Sequence, residues 1–245
     1  MKKSLMLVAA VLMMASGASA VEYVNDTFSY ADGSLVGNGG WASHSGTAGD
    51  FQVVSGQAVV EHGAPSEDVN HPFVLAAGGD VYFSFDYSVD DLGFPWTGTD
   101  TEYFAHFKND GSTYRARLDI VPALGGGDYT LGISSSTSTA QNIWPMDLAY
   151  GVVYHVVVRY NQDFNIAELW VDASAELDFS ILGDDDADPG TVITQFAMRQ
   201  SDSEHNETVR IDNVIVGDAC EDVFTTCGPV ATEAQSWGDL KSLYR

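Results

Sequence analysis

Basic side chains are scarce in this chain, with ten Lys and Arg against 35 Asp and Glu. Arg115 and Arg117 nevertheless stand two positions apart. In an extended strand that spacing puts both on one face, with Asp119 beside them. Guanidiniums grip a carboxylate through paired N–H donors, so this face suits an anionic sugar such as a uronate. The preceding strand offers His106 on one face and Tyr103 on the other. Register decides which of them joins the arginines. The competing reading is cross-strand ion pairing with Asp86 or Asp119. A second outward face gathers His155 and Arg159 with Glu168, Trp170 and Asp172. An exposed indole beside polar groups stacks well on the C–H face of a sugar. Trp96 and Trp144, in loops, are further stacking candidates. The competing reading for Trp170 is burial beneath a loop or the C-terminal tail.

Other chemistries find little support. There is no G-x-S-x-G nucleophile elbow and no H-E-x-x-H zinc motif among the scattered histidines. The two cysteines, Cys220 and Cys227, have no nearby histidine and are too few ligands for zinc. In an oxidising compartment they are expected to form a disulfide that closes a small loop. The formal charge of −25 repels nucleic-acid backbones and anionic membrane surfaces.

The elements that must carry these residues are strands. Residues 1–20 read as a secretory signal, with Lys2 and Lys3, an apolar stretch from Leu5 to Met14, and an Ala18-Ser19-Ala20 cleavage pattern. The expected result is an exported chain, secreted or at the cell surface, with no transmembrane segment after signal removal. Loss of the two lysines takes the formal charge to −27. The rest alternates with period two between Gly, Asp, Asn and Ser breaks. In Val81–Val89 the apolar set is Val81, Phe83, Phe85, Tyr87 and Val89. In Thr113–Val121 the inward set is Tyr114, Ala116, Leu118 and Ile120, leaving Arg115, Arg117 and Asp119 outward. Asn109-Asp110-Gly111-Ser112 is the hairpin turn before it. Strands are also expected near Asp26–Tyr30, Phe73–Ala76, Val152–Tyr160, Asn165–Asp172, Val192–Arg199 and Thr208–Val216, among others. The pattern predicts an all-β, two-sheet antiparallel β-sandwich over residues 21–217. Residues 218–245 form a tail with the cysteine pair and a short amphipathic end, Trp237–Arg245. That end is a candidate for docking on the sandwich or for reading by export or surface-attachment machinery.

Three segments carry a resemblance. Tyr154-His-Val-Val-Val-Arg-Tyr160 with Ala167-Glu-Leu-Trp-Val-Asp172, the opening Asp26-Thr-Phe-Ser-Tyr30 with Gly40-Trp41, and the closing Arg210-Ile-Asp-Asn-Val-Ile-Val216 are together similar to laminin-G-like jelly rolls of the concanavalin A-like lectin/glucanase superfamily. The resemblance implies two packed antiparallel sheets, one concave, with first and last strands paired. It also implies a structural calcium between them, with Asp26 and Asp212 as ligands. Members that cleave β-glucans carry E-x-D-x-x-E on one strand, and this chain has none. Glu168 and Asp172 share a strand face but lie about 13 Å apart, beyond the reach of a retaining pair. The resemblance therefore implies a non-catalytic carbohydrate-binding, lectin-like module with a glycan partner. The ligand-binding candidates are Arg115, Arg117, His106, Trp170, His155 and Arg159. The alternatives are a polysaccharide lyase or other carbohydrate-active enzyme of the same fold, using the arginines, His106 and a tyrosine, or a structural envelope or matrix protein without a small ligand.

Overall fold

The computed structural model describes residues 20–75, 78–99, 101–184 and 190–228. Most of the signal segment and the amphipathic C-terminal end lie outside the described residues. No helix among the described residues is long and apolar enough to cross a membrane.

Sixteen strands follow one another. They are β1 (Glu22–Asp26), β2 (Gly33–Ser34), β3 (Ala42–Gly46), β4 (Gln52–Val54), β5 (Gln57–Glu61), β6 (Glu67–Pro72), β7 (Asp80–Val89) and β8 (Glu102–Lys108). The remainder are β9 (Tyr114–Pro122), β10 (Tyr129–Ser134), β11 (Asn142–Ile143), β12 (Tyr154–Asn161), β13 (Ile166–Val171), β14 (Ile181–Leu182), β15 (Gln195–Met198) and β16 (Thr208–Gly217). A 3-10 turn, Cys220–Asp222, follows.

They form two antiparallel sheets. The nine-stranded sheet runs β14-β13-β12-β7-β16-β5-β4-β2, with β1 also paired to β16. The seven-stranded sheet runs β11-β10-β9-β8-β15-β6-β3. First and last strands lie side by side, Glu22 opposite Gly217 and Asp26 opposite Val214. The period-two argument explains β7. Val81, Phe83, Phe85, Tyr87 and Val89 all enter the main core. Phe83 and Phe85 meet Phe107 and Phe196 from the facing sheet at ring separations of 5.0–6.3 Å. Such aromatic contacts add to the free energy of apolar burial that holds the sheets together. Asn109 Oδ1 accepts from the Gly111 and Thr113 amides, which sets the β8–β9 turn.

One expected strand is displaced. Phe73–Ala76 was expected to be extended and paired because of its apolar content, but the ladder is made by the more polar β6 before it. Glu67 and Asn70 of β6 are buried, and the Glu67 amide donates to the Gln200 side chain. Phe73 reaches the core from just beyond the strand. The opening strand is shifted as well: β1 ends at Asp26, where Asp26–Tyr30 was expected to run as strand. Phe28 takes a positive φ of 46° there, which breaks the extended path.

Candidate functional site

The outer face of the seven-stranded sheet carries the densest polar cluster that the sequence pointed to. Two bulges build it. On β9, Arg115 faces Phe107 and Leu118 faces Ala105, so Ala116 and Arg117 together oppose His106 alone. Ala116 takes φ 50°, the left-handed value of an inserted residue. On β8 the register shifts between Tyr103 and Ala105, so Phe104 and Ala105 both enter the core. Each strand therefore reads out-in-in-out. Tyr103 and His106 emerge from β8, and Tyr114 and Arg117 from β9.

These four side chains interlock. The imidazole of His106 meets the ring of Tyr103 at 5.4 Å and that of Tyr114 at 5.1 Å, both edge-on. The Arg117 guanidinium lies 4.9 Å from the Tyr103 ring and 5.3 Å from the Tyr114 ring, a cation–π rack. Arg199, beside β15, approaches the Tyr103 ring at 4.2 Å and pairs with Glu102. His44 closes the cluster against Tyr114 and Asp68. The tyrosines are half-buried, whereas His106 and Arg117 are 3% and 7% exposed.

Both imidazole nitrogens of His106 and Nε of Arg117 have no hydrogen-bond partner among the described residues, while Arg117 Nη1 donates to the Ser136 carbonyl at 2.6 Å. Burial pushes the His106 pKa well below the usual histidine range, and Arg117, Arg199, His44 and Lys108 push it the same way. Burial pushes the Asp119 carboxyl well above its usual range, with Arg117 opposing. The described residues contain six Lys and Arg, and three of them, Arg159, Arg199 and Arg210, form ion pairs with carboxylates. Among the described residues the other three, Lys108, Arg115 and Arg117, form none, although acids far outnumber them. All three belong to the β8–β9 hairpin. Lys108 donates to Gln195 Oε1 at 2.7 Å.

The expected site residues thus divide. Arg117, His106 and Tyr103 come together. Arg115 does not share the face of Arg117, because the β9 bulge turns it toward the core side, where it donates to the Tyr114 carbonyl and to Thr191 Oγ1. Tyr114, expected inward, joins the outer cluster for the same reason. Arg199 and His44 come from other strands and carry no sequence periodicity that links them to the hairpin.

The second expected face is not an open platform. Trp170 is 1% exposed and packs with Tyr82 and Val157 beneath Cys220 and Phe224. The Phe224 ring lies 5.2 Å from the indole, and Trp170 Nε1 donates to the Glu176 carbonyl. The cap is closed by the Cys220–Cys227 disulfide. Arg159, beside this indole, is engaged by Glu168, Asp80 and Glu176. His155 Nδ1 pairs with Asp86 at 2.8 Å. Trp96 and Trp144 are buried too, so neither is a stacking surface in this conformation.

Asp26 and Asp212 do not form a cation cage. Both oxygens of Asp26 are engaged, Oδ1 by the Phe28 amide and Oδ2 by Tyr30 Oη and Trp41 Nε1. Asp212 accepts from the Asn213 amide. The described residues hold no group of three or more His, Cys, Asp and Glu side chains placed for a metal. This donor set does not fit calcium, which requires six to eight oxygens. Asp26 instead ties the first strand to the Trp41 loop. Asp26→Ala leaves the buried Trp41 and Phe28 donors unpaired, and is expected to cost about 2 kcal/mol of unfolding free energy. Urea denaturation checks this, and an unchanged midpoint would rule out the hub role.

The order of the strands and the two sheets define a concanavalin A-like jelly roll. Several solved structures superpose on it. A sialidase superposes with TM-score 0.53 and 15% identity over 83% of this chain, which spans only 19% of that chain. Peanut lectin superposes with TM-score 0.50 and 12% identity over 82% of this chain and 98% of its own. An alginate lyase of polysaccharide lyase family 7 gives TM-score 0.46 and 10% identity, covering 76% of this chain and 92% of its own. At such identities the likeness is one of fold. No protein-family model matches the sequence, and no curated protein matches it.

Proposed function

We propose that this chain is an exported, non-catalytic carbohydrate-binding protein that recognises an acidic saccharide on the outer face of its seven-stranded sheet. One observation carries the reading. Buried, unpartnered nitrogens of His106 and Arg117 cluster beside two half-exposed tyrosine rings. Buried polar groups without partners cost free energy, and a ligand that supplies partners recovers it. Tyrosine faces take the apolar side of a sugar ring, and Arg117 takes its carboxylate. The carbohydrate-binding proteins among the structures of this fold favour the same reading. The disulfide supports an oxidising, extracytoplasmic compartment.

A glycan array containing uronate oligomers and neutral oligosaccharides, read with and without EDTA, tests this. The expected result is retention of uronates in both conditions. An array with no bound glycan would sink the proposal in favour of a structural role. Loss of binding in EDTA would contradict the poor fit of Asp26 and Asp212 to calcium.

A second reading has its own observation. The imidazole of His106, held neutral by its surroundings, lies between two tyrosines and beside Arg117. That combination suits β-elimination, in which His106 removes the proton next to a uronate carboxylate, a carbon–carbon double bond forms as the glycosidic C–O bond breaks, and a tyrosine hydroxyl protonates the leaving oxygen. Ultraviolet absorbance from an unsaturated uronate product would establish the lyase. Its absence alongside binding supports the non-catalytic reading.

A further inference from the structure

The cluster on the seven-stranded sheet raises a question of charge. His106 is a weak base with neither ring nitrogen satisfied, buried under the surface where a ligand carboxylate would sit. We propose that this site takes up a proton together with its ligand, His106 becoming protonated as an acidic saccharide settles on the Tyr103–Arg117–Tyr114 rack. The proposal rests on the reading of this face as a carbohydrate site and adds its regulation by pH.

The groups facing His106 set the sign. Tyr103 and Lys108 flank it on β8. Tyr114 and Arg117 face it from β9 and Arg199 from beside β15, with Asp119 behind Arg117 and Glu102 paired to Arg199. His44 on β3 and Asp68 on β6 complete the surround. In the free protein the nearby cations oppose a second positive charge on the imidazole. An arriving carboxylate cancels that opposition and favours the protonated ring. The His106 pKa in the complex is therefore higher than in the free protein. Affinity is greatest below the free value and is lost as pH rises through the bound value. Between the two, affinity changes by up to about tenfold per pH unit for one coupled proton. Asp119 responds in the same direction, because an anion makes its ionisation harder still.

The His106 nitrogens can also be read directly. In 15N-detected NMR of the intact protein, the free and oligogalacturonate-saturated states are titrated between pH 5 and pH 8. Calorimetry of the same binding is run in two buffers of different ionisation heat. The expected result is a His106 pKa that rises on binding, with net proton uptake. In His106→Asn that uptake falls, leaving at most the share due to Asp119 and His44, and in His155→Asn, on the nine-stranded sheet, it is retained. A His106 titration unmoved by bound oligogalacturonate, with no net proton exchange, overturns the coupling and leaves carbohydrate recognition standing. If neither oligogalacturonate nor neutral oligosaccharides bind, both readings fall together. The NMR measurement needs no variant, so a misfolded His106→Asn does not block the test.

Discussion

Replacing Arg117 with alanine is expected to weaken acidic-saccharide binding roughly 100-fold, about 2.7 kcal/mol, while Arg115→Ala leaves it unchanged. The contrast is the informative part. In sequence the two arginines are equivalent, both on a strand and two positions apart. In the fold the β9 bulge separates them, so that Arg117 stacks between Tyr103 and Tyr114 while Arg115 reaches Thr191. Arg117 is the only guanidinium of the outer cluster without an ion pair among the described residues, since Arg199 is taken by Glu102. A desolvated guanidinium with no carboxylate partner gains much from an incoming one. Arg117→Lys is expected to restore part of the affinity, because it keeps the charge and loses the planar fork. Isothermal titration with oligouronates measures all three. Equal losses in Arg115→Ala and Arg117→Ala would mean that the bulge does not sort the arginines in solution. Wild-type affinity in Arg117→Ala would move the site elsewhere on the molecule.

That bulge also marks where sequence reading stopped. Alternation alone identified β7 and its inward set, because no residue is inserted there and each side chain keeps its parity. The Asn109–Ser112 turn was legible from its glycine and the short polar side chains around it. The hairpin of β12 and β13 was legible from its resemblance, and Arg159 stands opposite Glu168 in it. In β8 and β9 one extra residue per strand reverses parity partway along, and no composition signal announces it. Tyr103 and His106 were therefore assigned to opposite faces, although they share one. Trp170 failed for a different reason. Its own strand reads as half-exposed, but its cover comes from Cys220 and Phe224, about fifty residues later in the chain. Periodicity reports which face a residue takes, and it carries no information about what packs on that face. The tail is one cover the sequence offers for Trp170, and compartment alone predicts the disulfide. Their joint effect on Trp170 depends on tertiary contact.

The cap over Trp170 yields the second large effect. Changing Cys220 and Cys227 to serine together is expected to lower stability by about 2.5 kcal/mol, from the entropy of closing so short a loop in the unfolded chain. For a domain of this size that corresponds to a melting temperature lower by roughly 5–10 °C. The loss also has a local signature. Without the cross-link, the cap is held on Tyr82, Val157 and Trp170 by Phe224, Val223 and the 3-10 turn, with a few hydrogen bonds from residues 225–228 to the Ser174–Glu176 loop. Segments with few buried apolar contacts open at low free-energy cost. Trp170 should therefore become accessible to acrylamide before the sandwich melts, with its emission shifted to the red. Trp170→Phe, made in a Trp237→Phe background, assigns the signal, since among the described residues Trp41, Trp96 and Trp144 stay in the main core. Quenching that appears only at global unfolding would show that these noncovalent contacts alone keep the cap closed. The disulfide would then stabilise the chain end without controlling access to the indole.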